Sequence, residues 1–140
     1  MKEINQIQDE IIEDFSLFDD WMGKYEHLID FGKSLDGMEE KYKVDANLVK
    51  GCQSRVWLFA EPIEDRLIFY ADSEAIITKG IVGLLLSILS GQKPKDIVDS
   101  DLYFVEKIGL KEHLSPSRAN GLVSMIKKMK ISALVRTTNN

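Results

Sequence analysis

Hydrophobic positions in the first third of the chain recur at the spacing of an α-helix. One stripe of apolar side chains, three and four residues apart, comprises Ile4, Ile7, Ile11, Phe15 and Phe18. A second stripe comprises Trp21, Tyr25, Leu28, Ile29 and Gly32. Asp19 or Asp20 precedes the second stripe and can cap a helix there. We therefore predict two amphipathic helices, the second ending near residues 34–37.

The middle of the chain has the pattern of a β-hairpin. The stretch at 38–47 is charged and irregular, which predicts a surface connection or a short edge strand. Residues 54–60 are rich in Val, Trp, Leu and Phe, which predicts a β-strand. Pro62 cannot donate to a central ladder, so we predict a turn at 61–65 and a return strand at 66–71.

Helix signals then dominate to the end of the chain. Asp72, Ser73 and Glu74 can open a helix that ends at Ser90-Gly91, and residues 93–98 suggest one short helical turn. Ser115-Pro116 predicts the start of a last helix. Its apolar face comprises Leu122, Met125, Ile126 and Met129. We predict one α+β domain over residues 1–140, with helices packed on one face of a small antiparallel sheet and a frayed tail from about residue 133.

Composition excludes several classes of function. The 140 residues are 44% hydrophobic and 29% charged, as in an ordinary globular domain. A net charge of −5 disfavours non-specific nucleic-acid binding. The apolar run at 81–89 is about half the length of a membrane span. The first six residues lack the apolar core of a secretory signal, so we expect a cytoplasmic protein.

The chemistry candidate is Cys52, the only cysteine in the chain. A single thiol cannot form an internal disulfide or a multi-cysteine metal site. Gly51, Gln53 and Ser54 place it at a loop-to-strand junction, where a side chain can be presented at a surface. The neighbouring cations Lys50 and Arg55 would favour the reactive thiolate, whereas burial would oppose it. The sequence leaves that balance open.

Other sites receive less support from the pattern. A Cys–His hydrolase would need His27 or His113 as its base, and the sequence around Cys52 resembles no protease nucleophile. No ligand spacing indicates a metal site, and the Gly80–Gly83 segment falls within a helix rather than in a phosphate-binding loop. Arg118 lies in the first turn of the last helix, where the dipole disfavours a cation. That position indicates a salt bridge or a functional contact.

Four segments resemble the SufE family, the sulfur-acceptor proteins that serve cysteine desulfurases in iron–sulfur cluster assembly. They are WMGKYEHLIDFG at 21–32, GCQSRVW at 51–57, ADSEAIITKG at 71–80 and HLSPSRANGL at 113–122. The likeness extends over roughly residues 4–132. It departs at Phe31, where the family usually has leucine, and at Asp36, where proline often follows Leu35.

The resemblance implies an α+β fold shared with scaffold proteins of the IscU type. It also implies that Cys52 takes sulfur from a persulfide of a desulfurase (SufS-like or CsdA-like), stimulates that enzyme and passes the sulfur to a scaffold complex. It makes Arg118 the first candidate for supporting the loop or contacting a partner, with Lys79, Asp72 and Glu74 weaker candidates. The family carries no cofactor of its own, because pyridoxal phosphate belongs to the desulfurase.

Two alternatives stay open at this stage. Cys52 could be a thiol redox sensor, although the chain has no second, resolving cysteine. The protein could also be a partner-binding module in which the cysteine has no chemical role. Under the sulfur-acceptor hypothesis, we expect Cys52 to rest against apolar walls supplied by the strands and the last helix, and to swing out when a partner docks.

Overall fold

The computed structural model describes residues 2–138, and side chains are described through residue 137. Its helices are α1 (Ile4–Ser16), α2 (Trp21–Lys33), α3 (Ile76–Leu89), α4 (Pro94–Asp99), α5 (Phe104–Ile108) and α6 (Pro116–Thr138). Its strands are β1 (Val56–Ile63) and β2 (Arg66–Ser73). Single 3-10 turns occupy Glu40–Tyr42, Asp45–Asn47 and Lys111–His113.

Helix α3 lies at the centre of the fold because it is apolar on almost every side. Ile81, Leu84, Leu85 and Ile88 have no solvent exposure. The helix packs against α2, β2, α6 and α1. A helix with this composition is stable only when neighbours cover all of its faces.

Helices α2 and α3 pack at backbone contact through glycines. A Cβ on Gly80 would lie 2.5 Å from the carbonyl oxygen of Leu28. A Cβ on Gly83 would lie 2.4 Å from the carbonyl oxygen of Phe31. These glycines permit a close helix crossing, and they fall within a helix as predicted.

The two amphipathic helices at the start of the chain are confirmed. Ile4, Ile11 and Phe15 of α1 are buried, whereas Phe18 lies beyond the end of that helix. Of the two predicted caps for α2, Asp20 is the one used, and its side chain accepts a hydrogen bond from the Gly23 N–H at 2.9 Å.

The hairpin forms with longer strands than predicted. β1 and β2 are antiparallel, with registers running from Val56 opposite Ser73 to Ile63 opposite Arg66. The predicted five-residue turn at 61–65 is wrong, because Pro62 lies within β1 and only residues 64–65 connect the strands. The sheet has two strands, so β1 is an edge strand and tolerates a residue without an N–H.

The predicted capping of α3 is wrong. Asp72 and Ser73 belong to β2, and the helix starts after Ala75 without a side-chain cap. The Asp72 carboxylate instead accepts a hydrogen bond from the Ser73 N–H at 2.8 Å. The Asp72 carboxylate therefore binds the backbone at the end of β2 and does not cap helix α3.

The C-terminal helix continues where the sequence predicted a frayed tail. Helix α6 runs through Thr138 and packs against α4, and Ala133 is completely buried. The remainder of the predicted tail, residues 139–140, lies outside the described residues. Among residues 2–138, no helix combines the length and the apolar character that crossing a membrane requires.

Candidate functional site

Cys52 lies in a loop that is closed at its base and held against α6. The Val49 N–H donates to the Val56 carbonyl at 2.8 Å, which joins the two ends of the loop. Gly51 has φ +92°, in the left-handed region, and a Cβ there would lie 2.7 Å from the Ser124 hydroxyl oxygen. The backbone conformation therefore favours glycine before the cysteine, whereas the Ser124 hydroxyl could rotate away from an added Cβ.

The Cys52 thiol packs against helix α6 at Gly121. The Sγ atom lies 3.8 Å from the Gly121 carbonyl oxygen, and a Cβ on Gly121 would be 3.1 Å from Sγ. Cys52 is half-buried in this position. Burial raises the pKa of its thiol above the ordinary value.

The neighbouring cations do not offset this effect. Arg55 is engaged with Glu74, with 2.6 Å between Nε and the carboxylate oxygen, and its guanidinium also lies over the ring of Trp57. Lys50 is exposed to solvent. The sequence left open whether the nearby cations or burial would control the pKa of Cys52. In this resting position burial has the larger effect and favours the neutral thiol.

A small cavity of about 40 Å³ adjoins the thiol. Its lining residues are Cys52, Gln53, Ser54, Thr78, Ser117, Arg118, Gly121 and Met125. The last helix lines the cavity as expected, but the strands do not: the other walls come from the loop and α3, and most of the lining is polar rather than apolar.

Several predicted site residues are brought together here. Gln53, Ser54 and Arg118 line the cavity beside Cys52, and Gly51 shapes the loop. The Ser117 hydroxyl donates to the Gln53 side-chain oxygen at 2.8 Å, which joins the tip of the loop to the start of α6.

Sequence reasoning missed four lining residues. Ser117, Gly121 and Met125 recur with Arg118 at the spacing of one helix face, a signal that was available once the last helix had been assigned. Thr78 comes from a different helix, and no pattern in the sequence indicates its place in the cavity.

The three weaker candidates lie outside the cavity lining and form ion pairs. Asp72 is 8% exposed, and its carboxylate lies 3.2 Å from Lys79 Nζ and 3.4 Å from Lys43 Nζ. Burial alone would raise the pKa of Asp72, but the Ser73 N–H and the two lysines outweigh it and hold that pKa below its usual range. Together with the Arg55–Glu74 pair, these contacts fix the junction between β2 and α3.

Arg118 has a different environment. Its side chain is exposed at the rim of the cavity, and within residues 2–138 its guanidinium has no ion-pair partner. Of the two explanations offered for a cation in this helix turn, the salt bridge is therefore wrong for the described chain.

Neither histidine lines the cavity at Cys52. His27 packs among aromatic rings, with centroids 4.7 Å from Phe15 and 5.2 Å from Phe31. His113 stacks on Trp21 at 3.9 Å. The geometry required for a Cys–His hydrolase is not present. The described part of the chain also contains no cluster of three or more His, Cys, Asp or Glu side chains that could hold a metal ion.

Comparison with known proteins places the chain in a family. Residues 9–133 match the SufE model, described as an Fe-S metabolism associated domain. An uncharacterized SufE-like protein of Rhizobium meliloti is 42% identical over 130 residues, which cover 89% of this chain and 93% of the relative. The SufE-like protein 1 of Arabidopsis thaliana, described as chloroplastic/mitochondrial, is 40% identical over 126 residues, but the match covers only 34% of that longer protein.

A solved structure supports the fold independently. The solution structure of a hypothetical protein from Thermus thermophilus superimposes with a TM-score of 0.78, covering 94% of this chain and 96% of the other at 19% identity. At that identity, the likeness establishes the α+β fold class alone. The match to the family model and the relatives at about 40% identity establish more: this chain belongs to the SufE family of Fe-S metabolism associated domains.

Proposed function

We propose that this protein is a sulfur carrier in which Cys52 accepts sulfur from the persulfide of a cysteine desulfurase and passes it to an iron–sulfur cluster scaffold. The observation that supports this proposal best is the placement of the only cysteine. Its thiol is presented by a loop with a fixed base, beside a cavity of about 40 Å³. A single thiol suits the transport of one sulfur atom, whereas holding a cluster would need several ligands.

The transfer step is a thiol exchange at sulfur. The Cys52 thiolate attacks the outer sulfur of the desulfurase persulfide and forms a new S–S bond. The bond between that outer sulfur and the desulfurase cysteine breaks, and the desulfurase cysteine leaves as a thiolate. One sulfur atom changes carrier without net oxidation or reduction.

The resting position of Cys52 suits storage better than attack. The attacking species must be a thiolate, but burial raises the pKa of the Cys52 thiol. The cavity beside the thiol is also small, about 40 Å³. We therefore infer that the loop opens when the donor docks and closes over the loaded sulfur afterwards.

Arg118 is the candidate for contact with the donor or with the opened loop. Its charge is exposed at the rim and has no ion-pair partner within the described residues. A guanidinium in this place would attract a carboxylate of a partner or stabilise the Cys52 thiolate once it leaves the cavity. The protein would then stimulate its desulfurase and show little turnover alone.

Two features of the site count against the redox-sensor alternative. Sensor cysteines are typically exposed and have a lowered pKa, whereas Cys52 is half-buried and its pKa is raised. The partner-binding module remains distinguishable by mutation, because Cys52→Ser would leave such a module fully functional.

The test is intact-mass spectrometry after incubation with cysteine and the desulfurase from the same genome, with Cys52→Ser as the matched control. We expect the wild type alone to gain the mass of one sulfur atom, and reductant to reverse the gain. No gain with a desulfurase that is demonstrably active would contradict the proposal. Gain of oxygen or of glutathione on Cys52 in place of sulfur would favour the redox sensor.

A further inference from the structure

Thr78 is a buried hydroxyl residue with no assigned role at the site. It is the third residue of α3, it is 7% exposed and it lines the cavity beside Cys52. No described residue forms a hydrogen bond with its side chain, not even the carbonyl groups of the preceding turn that helical threonines often use.

An unpartnered hydroxyl in such a position is unusual. Buried polar side chains in native proteins almost always have a hydrogen-bond partner, since losing one costs free energy. Within residues 2–138, the side-chain atom that is both fully enclosed and without a hydrogen-bond partner is Nε2 of His27. The Thr78 hydroxyl oxygen also lacks a partner among these residues, so it is not fully enclosed and remains accessible to a small molecule. Thr78 is one of the residues that line the cavity beside the thiol.

The size of the cavity and its position in the fold indicate what the hydroxyl would meet. A cavity needs about 10–15 Å³ to hold one water molecule, so about 40 Å³ admits a single, larger sulfur atom. Thr78 also lies in the first turn of α3, where free N–H groups and the helix dipole favour negative charge. A persulfide deprotonates more readily than a thiol, so its outer sulfur is an anion at neutral pH.

We propose that the Thr78 hydroxyl donates a hydrogen bond to the anionic outer sulfur of a persulfide on Cys52 and so holds that sulfur in the cavity. No proton is transferred and no bond to sulfur is broken in this interaction. Thr78 is a positioning residue that protects the loaded state. This inference deepens the proposed function and rests on it, because it concerns the same persulfide.

The test loads Cys52 chemically, without a desulfurase. Inorganic polysulfide converts the thiol to the persulfide, and intact mass verifies the loading of each variant. The variants are Thr78→Val, which removes the hydroxyl at nearly constant shape, and Thr78→Ser, which retains it. If the valine variant does not fold, Thr78→Ala replaces it in the comparison with serine.

Two quantities are measured on the loaded proteins. The first is the rate at which an added small thiol removes the outer sulfur. We expect this rate to rise about tenfold in Thr78→Val and to stay within about twofold of wild type in Thr78→Ser, since a hydrogen bond to a charged group contributes at least that factor. The second is the pH midpoint for alkylation of the persulfide, which we expect to move upward by about one unit in Thr78→Val only.

The control is alkylation of unloaded Cys52 in the same variants. If Thr78→Val accelerates the loaded and unloaded reactions equally, the residue affects opening of the loop and the proposal is overturned. Equal persulfide lifetimes and pH midpoints in wild type and Thr78→Val overturn it as well, as does failure of polysulfide to load the wild type. If polysulfide loads the wild type, the valine effect appears and the desulfurase still transfers nothing, then the role of Thr78 stands and the proposed function fails.

Discussion

The contact between Gly121 and Cys52 can be tested by adding one methyl group. In Gly121→Ala, the new Cβ would lie 3.1 Å from Sγ and 3.8 Å from both Cα and Cβ of Cys52. Carbon–sulfur contacts of 3.1 Å are repulsive, since optimal separations begin at about 3.5 Å. The obstructing atom is the end of a side chain with one torsion, so displacing the thiol relieves the clash.

Two effects of this substitution oppose each other in the free energy of unfolding. Alanine in place of glycine stabilises a helix interior by about 1 kcal/mol. The clash and the loss of the thiol from its site cost a similar amount. We therefore expect the stability in urea to change by less than about 1 kcal/mol, while the position of Cys52 changes substantially.

The rate of thiol labelling measures that change of position. In the wild type, the tip of the loop is held by the Gln53–Ser117 hydrogen bond and by the contact of Sγ with the Gly121 carbonyl. The Sγ contact is weak because a thiol is a poor donor, but the two contacts together contribute on the order of 1 kcal/mol, which corresponds to a factor of about five in an equilibrium. We expect labelling of Gly121→Ala at neutral pH to be at least about fivefold faster than that of wild type, with a further increase because exposure lowers the pKa of the thiol.

Asn120→Ala is the matched control. Asn120 is exposed in the same turn of α6, so the substitution raises helix propensity without adding an atom at the thiol. It should label at the wild-type rate. A folded Gly121→Ala protein that also labels at the wild-type rate would refute the reasoning, because Sγ would then not rest against this helix. Equal acceleration in both variants would refute it too.

Four further predictions follow from the fold and the site. Gly83→Ala should lower the free energy of unfolding in urea by about 1–3 kcal/mol, because its Cβ would meet a backbone carbonyl at 2.4 Å, and an unchanged stability would contradict the close helix crossing. Asp72→Asn should destabilise the protein by about 1–3 kcal/mol at pH 7. Because the pKa of Asp72 is lowered in the folded state, its contribution is present above about pH 4 and is lost as the pH falls further, so denaturation curves of the two proteins should converge in acid. Alkylation of wild-type Cys52 should show a pH midpoint above about 8.5, and a lower midpoint would mean that the cations prevail over burial. Arg118→Ala should melt within about 2 °C of wild type yet weaken desulfurase stimulation, whereas a large loss of melting temperature would indicate a structural role.

The sequence allowed the hairpin and the helices other than α5 to be predicted because their signals are local. The spacing of Ile4, Ile11 and Phe15 reports one face of α1, and Asp20 is followed at once by the helix that it caps. The predictions that were wrong concern residues at which a tertiary contact overrides a local preference. Asp72 resembles a helix cap in sequence, but Lys43 and Lys79 reach its carboxylate and keep it at the end of β2.

The site was predictable only in part for the same reason. Cys52 and its loop neighbours are adjacent in sequence, and Arg118 was marked by an unfavourable charge at a helix start. Thr78 became visible only when α3 was placed beside the loop, because nothing in the sequence relates residue 78 to residue 52. The raised pKa of the thiol depends on the depth of burial, which neighbouring charges in the sequence cannot report.

If Cys52 carries sulfur as proposed, storage and transfer place opposite demands on this thiol, and the distribution of contacts around the loop suggests how both are met. Storage needs a site closed to small thiols, whereas attack on a persulfide needs an exposed thiolate. The base of the loop is joined by the backbone hydrogen bond from Val49 to Val56, while its tip is held by one exposed side-chain hydrogen bond and one weak thiol contact, together on the order of 1 kcal/mol. A docking partner could supply that amount without disturbing the core, so opening of the tip alone would convert the protected thiol into the reactive one.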